Sequence, residues 1–509
     1  MLEVYITAAE IVFQPINIVA IIVGVTIGLT FGAIPGLSGV TAVGLLVPFT
    51  YAMEPSTAIL MMVGVYCAAT MAGALTAILF NIPGDVMAVA TTFDGHPMSQ
   101  RGETKRALSM VIFGSVVGGM VGAVALATVA PQLARVALAF GPSEFFALAV
   151  LGLTAIAVLG AGSARTMLKA ILSVLFGLFL ATIGIDPVSG ASRFAVGDLG
   201  LDAGIARVPA IIGLFALGEV FAVLYMRRRR VAYSEPTLLK GSVFSFPSWD
   251  DLKAVKGTLV RAPIVGTIVG ILPGSGGTLG SLIGYNVEQR FAKDPKSFGK
   301  GNIQGVAAPE SANNAAVGGS LVPLLTLGIP GSSTTAIMLA ALTLHGLRPG
   351  PMLFRDSPEL TYSIIFGLFV ANIVMLVLAL FLVRYLLKVL LVRTEILAFV
   401  IVSVSLAGAF AIHNRIGDMW VALALGIIGF FVKKYGFSLG GIILGLVLGV
   451  LAEDGLILGL SLAGGDYVEM LTRPVTAGIL VVSLLFFTVP IIQEFRVRRR
   501  VSQQPNETE

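Results

Sequence analysis

The sequence is poor in charge and in reactive side chains. Of its 509 residues 12% are Asp, Glu, Lys or Arg, against about 25% in an ordinary soluble domain. The single cysteine, Cys67, excludes an intramolecular disulfide and any cysteine metal cluster. A small buried side chain is its plain role. The three histidines, His96, His345 and His413, are far apart and form no H-E-x-x-H. No G-x-x-x-x-G-K-[ST] occurs, so the chain is no P-loop ATPase. GSGGTL at 274–279 departs from G-x-G-x-x-G and follows no strand. No serine–histidine–acid triad is visible. The opening MLEVYITAAEIVFQ has no basic residue before its apolar run and no clear cleavage site, so a retained helix is expected there rather than a cleaved signal peptide.

What is present is apolar. Hydrophobic residues make up 56% of the chain, and Ile11–Met53, Ala107–Ala134 and Phe145–Gly162 carry no charge. A spanning helix needs roughly 20 apolar residues. The runs are continuous, without the alternation of barrel strands. The 60 glycines suit close contact between membrane helices. The fold class expected is therefore an all-α polytopic membrane protein. The net charge of +5 requires no nucleic-acid partner, because Lys and Arg sit in loops and the tail.

Spans are predicted near 15–33, 40–53, 56–80, 107–130, 144–162, 166–184 and 207–226. After the polar stretch come 258–272, 277–291, 304–328, 361–391, 395–412, 418–432, 436–452 and 474–493. This divides the chain into a first membrane repeat (1–226), a basic cytoplasmic linker (227–256) and a second repeat (257–453). An extra C-terminal helix region (454–495) and a cytoplasmic tail (496–509) follow.

Four landmarks recur in order. GLTFGAIPGLSG at 28–39 matches GTIVGILPGSGG at 266–277, and LFNIPG at 79–84 matches TLGIPG at 326–331. Polar loops follow, FDGHPMSQRG at 93–102 and LHGLRPGP at 344–351. Late in each half a glycine-rich helix is expected to end at a glutamate, Glu219 and Glu453. The basic runs Arg227–Arg230 and Arg496–Arg500 both belong in the cytoplasm. Two inverted-topology repeats satisfy that once the unmatched helix at 474–493 is set aside.

Proline removes a helical hydrogen bond, and glycine allows backbone angles that other residues avoid. In hydrocarbon such a break survives only against protein or a wet cavity. Paired breaks in two halves mark a transporter's central site, where half-helix N-termini favour an anion and carbonyl ends a cation. The substrate-binding candidates are Pro35, Gly36, Leu37, Ser38 and Gly39 with Asn81, Pro83 and Gly84 in the first half. In the second they are Pro273, Gly274, Ser275, Gly276, Gly277, Pro330, Gly331, Ser332 and Ser333. GVAAPESANNAAVGGS at 305–320 adds Asn313 and Asn314, oxygen-bearing side chains amid small residues. Thr41, Asp85, Thr278, Glu310 and Ser311 are candidates for a coupling ion, Na⁺ or H⁺; no other metal and no organic cofactor is expected. Plainer roles compete with these: serine or threonine bonding the backbone, Asp85 and Asp94 as helix caps, and Glu310 as a first helical residue after Pro309. Arg165, Arg193 and Arg207 read as loop anchors.

These blocks resemble the large membrane subunit of the tripartite tricarboxylate transporters, the TctA type. The matching pieces are IPGLSGVTAVGLLVPFTY (34–51), TAILFNIPGDVMAVATTFDGHPMSQRG (76–102), TIGIDPVSGASRFAVGDLGLDAGI (182–205), ILPGSGGTLGSLIGYNVE (271–288), GVAAPESANNAAVGGSLVPLLTLGIPGS (305–332) and AGGDYVEMLTRPV (463–475). The resemblance implies a prokaryotic inner-membrane carrier that imports small di- and tricarboxylates on an Na⁺ or H⁺ gradient. It implies a small four-helix membrane subunit and a periplasmic solute-binding protein as partners, and is compatible with a homodimer. Asp85 departs from the family pattern, which more usually has an uncharged threonine there. The competing class is an intramembrane enzyme acting on a lipid or polyprenyl substrate. It needs one asymmetric acid–base centre, whereas a carrier needs paired breaks.

Overall fold

The computed structural model describes residues 2–34, 37–159, 164–195, 201–226, 246–274, 276–389 and 394–502. Pro35, Gly36, Ser275 and the run Arg227–Arg230 lie outside these ranges.

The described chain is almost wholly helical. In order come α1 (Leu2–Phe13), α2 (Pro15–Ala33), α3 (Gly39–Thr50), α4 (Pro55–Phe80), a 3₁₀ turn at Val86–Ala88, α5 (Val89–Gln100) and α6 (Thr104–Ala137). Then follow α7 (Pro142–Leu159), α8 (Ala164–Ala181), a short antiparallel hairpin of β1 (Gly184–Ile185) and β2 (Ser192–Arg193), and α9 (Arg207–Ile211), which passes through a π turn into α10 (Gly218–Met226). Next are α11 (Trp249–Val255), α12 (Thr258–Ile271), α13 (Gly276–Phe291), α14 (Gln304–Leu327), α15 (Ser333–Leu344), α16 (Pro351–Asp356) and α17 (Pro358–Val389). The last are α18 (Thr394–His413), α19 (Ile416–Lys434), α20 (Leu439–Leu462), α21 (Tyr467–Thr472) and α22 (Pro474–Ser502).

Among the described residues eight helices are long and apolar enough to cross a membrane, or up to nine if the bent pair α11–α12 counts as one. This is a polytopic membrane protein. Pro15 and Pro55 open α2 and α4 at positions where the missing N–H costs no helical bond. Asn81 closes α4 and Gly328 closes α14 in the left-handed region, so each chain turns sharply away from its helix axis.

The chain packs into two compact units, each drawn from both halves of the sequence: Met1–Leu138 with Ala206–Phe431, and Ala139–Ile205 with Val432–Glu509. In the first unit glycines set the spacing. A methyl group at Gly28 or Gly32 of α2 would lie 2.5 or 2.4 Å from the carbonyl oxygens of Val65 and Ala69 on α4. At Gly266 and Gly270 of α12 it would lie 2.0 and 2.7 Å from those of Ala312 and Ala316 on α14. Gly118 and Gly122 of α6 press on Ser311 and Ala315 from another side. In the second unit α20 packs on α8 through Gly177 and Gly445. Its hairpin is tied down by Arg193, whose Nη1 lies 2.7 Å from Glu453 and 3.4 Å from Asp186.

Several sequence expectations change. The segment 93–102, read as a polar loop, is mostly helix α5, because Asp94 and Met98 are buried there rather than solvated. Glu453 does not end a helix: α20 continues to Leu462, and the carboxylate sits mid-helix as the partner of Arg193. Glu219 likewise lies inside the continuous α9–α10 segment. The end of the predicted linker is helical, since Ser248 caps α11 by accepting from Asp251 N.

Candidate functional site

Each half of the first unit contains the same two devices, a helix broken and resumed beside another. α2 breaks into α3 and α12 into α13; α4 breaks into the Val86–Ala88 turn with α5, and α14 into α15. Side chains cap α3, the Val86–Ala88 turn and α15. Ser38 accepts from Thr41 N (3.5 Å) and Asp85 from Met87 N (3.0 Å). Ser332 and Thr335 form a reciprocal capping box. The second-half breaks touch: Gly276 N donates to Gly331 O at 3.2 Å. Gly274 and Gly276, with φ of 72° and 55°, adopt the left-handed backbone this turn needs.

Helix α14 runs through the centre, buried from Gly305 to Thr326. Glu310 is fully buried and accepts from Thr91 Oγ1 (2.5 Å) and Ser115 Oγ (3.1 Å). One turn on, Asn314 Nδ2 donates to Glu310 O (3.2 Å), while its Oδ1 has no hydrogen-bond partner among the described residues. Asn313, also fully buried, has neither amide atom bonded among the described residues. A methyl group at Gly277 would lie 2.4 Å from Asn313 Oδ1 and 2.9 Å from Met87 Sδ, so these three meet. A buried polar group with no partner is costly and uncommon. Asn313 lies on a helix buried over nearly its whole length, beside the breaks, and is therefore a candidate for ligand contact.

The candidates divide. Leu37, Gly39, Thr41, Gly84, Asp85, Gly276, Gly277, Pro330, Gly331 and Ser332 are buried at the four breaks, while Pro83, Pro273, Gly274, Thr278 and Ser333 are half-buried. Asn81 is exposed at the end of α4. The Ser311 hydroxyl donates to Ala307 O (2.7 Å), the backbone bond weighed against an ion-binding role. Glu310 is inside α14 and not its first residue, because the helix starts at Gln304.

Asp94 caps no helix of its own. Its carboxylate accepts from Tyr285 OH (2.8 Å) and from the N–H groups of Gly299 (3.0 Å), Gly301 (2.7 Å) and Asn302 (2.7 Å), holding the chain that leads into α14.

Other polar residues of this region lay outside sequence reasoning. Tyr66 OH lies 3.0 Å from Ser320 Oγ and 2.9 Å from Ser332 Oγ, joining α4 to α14 and α15. Thr91 and Ser115 carry the bonds to Glu310. Asn372 of α17 is buried, and its Oδ1 has no hydrogen-bond partner among the described residues. Tyr66 was within reach, since counting from the matched IPG turns sets it opposite Asn313. Asn372 gives no local signal in an otherwise apolar run.

Among the described residues no group of three or more His, Cys, Asp or Glu could hold a metal ion. A family model described as the Tripartite tricarboxylate transporter TctA family matches residues 18–444. The chain is 36% identical over 490 residues, 96% of each chain, to an Agrobacterium vitis protein described as an uncharacterized 52.8 kDa protein in the TAR-I ttuC' 3' region. It is 35% identical over 234 residues to a second protein of that organism, from the TAR-II ttuC' 3' region, covering 46% of this chain and 97% of the other. No solved structure matches.

Proposed function

The chain belongs to the tripartite tricarboxylate transporter TctA family, and from that premise we propose that it is the large membrane subunit of a secondary carrier importing small di- and tricarboxylates. It works in a prokaryotic inner membrane beside a small four-helix membrane subunit and receives cargo from a periplasmic solute-binding protein. The two halves form inverted repeats, and Arg227–Arg230 and the C-terminal basic run face the cytoplasm.

The observation that carries this reading is Asn313, a fully buried amide beside two helix breaks with neither atom bonded among the described residues. Its Nδ2–H can donate to a carboxylate and its Oδ1 can accept from a hydroxyl. Coupling to a cation has a physical reason. Asp85 and Glu310 are buried acids of the same unit, and an anion brought near them needs compensating positive charge. Na⁺ or H⁺ supplies it, and the substrate and the ion enter together.

The test is uptake in proteoliposomes holding the chain with its two partner subunits, with Na⁺ and pH gradients imposed separately. Accumulation of a labelled di- or tricarboxylate on one gradient, dependent on the binding protein and lost in Asn313→Ala, is the expected result. Accumulation of none of them under either gradient overturns the reading.

A further inference from the structure

The two halves pack in one register, and at one position their chemistry parts. Val65 and Ala69 lie under Gly28 and Gly32; Ala312 and Ala316 lie under Gly266 and Gly270. A methyl at Gly84 would meet Gly32 O at 2.3 Å, and one at Gly331 would meet Gly270 O at 2.8 Å. The matched residues on and after α4 and α14 are 247 positions apart in every case, from 65 and 312 to 84 and 331. In that register Tyr66 corresponds to Asn313, Gly73 to Ser320 and Asp85 to Ser332.

Tyr66 reaches across to the other half. Its hydroxyl bonds both Ser320 and Ser332, so a phenol from the first half fills the turn of the second. Asn313 is too short to return that contact. It faces Gly277 and Met87, with no hydrogen bond to either amide atom among the described residues. The register is shared; the satisfaction of the polar groups is not.

We propose that the chain holds one substrate-binding position, at Asn313 with Gly277 and the Asp85–Met87 turn, and that the Tyr66 phenol fills its counterpart at Ser320 and Ser332. The identity of the cargo as a carboxylate rests on the carrier reading above; the asymmetry does not. Ser332 and its neighbours in the IPG turn then hold structure, and binding falls to one side of a two-sided frame.

Thiol labelling separates the two positions without requiring transport. In a Cys67→Ala background of the full chain in membrane vesicles, Asn313→Cys and Met87→Cys report on the proposed position and Ser332→Cys on its counterpart. With N-ethylmaleimide as probe, the first two should react at least about tenfold faster than Ser332→Cys, a ratio worth about 1.4 kcal/mol. Adding Tyr66→Ala should bring the Ser332→Cys rate up to theirs. Equal rates with Tyr66 in place, no reaction at either 313 or 87, or no acceleration by Tyr66→Ala overturns the proposal. Melting in detergent checks folding, and where Asn313→Cys fails it, Met87→Cys carries the comparison. Asymmetric labelling in a chain that accumulates no carboxylate would keep the position and remove the carrier reading. Symmetric labelling in an active carrier would do the reverse.

Discussion

A carboxylate sealed among neutral groups has to be satisfied by hydrogen bonds, and Glu310 has two, from helices distant in sequence. Glu310→Gln keeps the shape and one acceptor oxygen while removing the charge. It should cut gradient-driven uptake at least roughly tenfold, about 1.4 kcal/mol, while the melting temperature moves by less than about 2 °C. A larger melting shift with uptake preserved would make Glu310 structural. Asp94 is the opposite case, a buried acid wholly engaged by four donors. Asp94→Ala orphans three backbone N–H groups and should cost about 3–4 kcal/mol, read from chemical unfolding in detergent. At this scale the sequence showed which polar residues stand in apolar surroundings but not which are already satisfied. Asn313 and Ser311 are two positions apart in one motif, yet Ser311 bonds its own backbone and Asn313 bonds nothing described. The neighbouring Glu310 finds its partners, Thr91 and Ser115, on helices 219 and 195 residues away, and no local pattern encodes them.

At the scale of helices the contacts are made through glycine. A methyl group at Gly118 would lie 2.0 Å from Ser311 O, so Gly118→Ala must push α6 from α14. The expected loss is about 1–3 kcal/mol or more. Gly478→Ala, on α22 with nothing within 4 Å of the added carbon, should be neutral or gain up to about 1 kcal/mol. Thermal melting of the two variants side by side checks the pair; equal effects would refute the close-packing account. The long spans were readable because an uninterrupted apolar run has few alternatives to a helix. The breaks were readable because proline and glycine recur at fixed places. The helix α5 was not, since FDGHPMSQRG has the composition of a turn and its helix is held by burial of Asp94 and Met98 against other elements. α20 was cut short at Glu453 for the same reason: a charge reads as a helix end until Arg193, from a distant hairpin, pairs with it.

For the whole molecule the order of packing differs from the order of the chain. Both compact units take helices from either side of residues 227–245. Severing the chain there and expressing the two parts together should give a stable complex that copurifies through a tag on either part. Expressed alone, each part should be degraded, since α2 with α4 and α6 would lack α12 and α14. Stable accumulation of either part alone would contradict the interleaving. The paired breaks were legible in the sequence, but the insertion of one half into the other was not, because recurring motifs say which segments are alike and not which of them touch.

The stripe of α6 against α14 has a mechanical consequence. Gly114, Gly118 and Gly122 meet Ala307, Ser311 and Ala315, in steps of four residues on both helices. A slide of less than one full turn, about 5.4 Å, would drive side chains into the gaps that only glycine leaves. The two helices are geared together like meshed racks and travel as one lever. Relative movement within the first unit has to arise elsewhere than between these two helices.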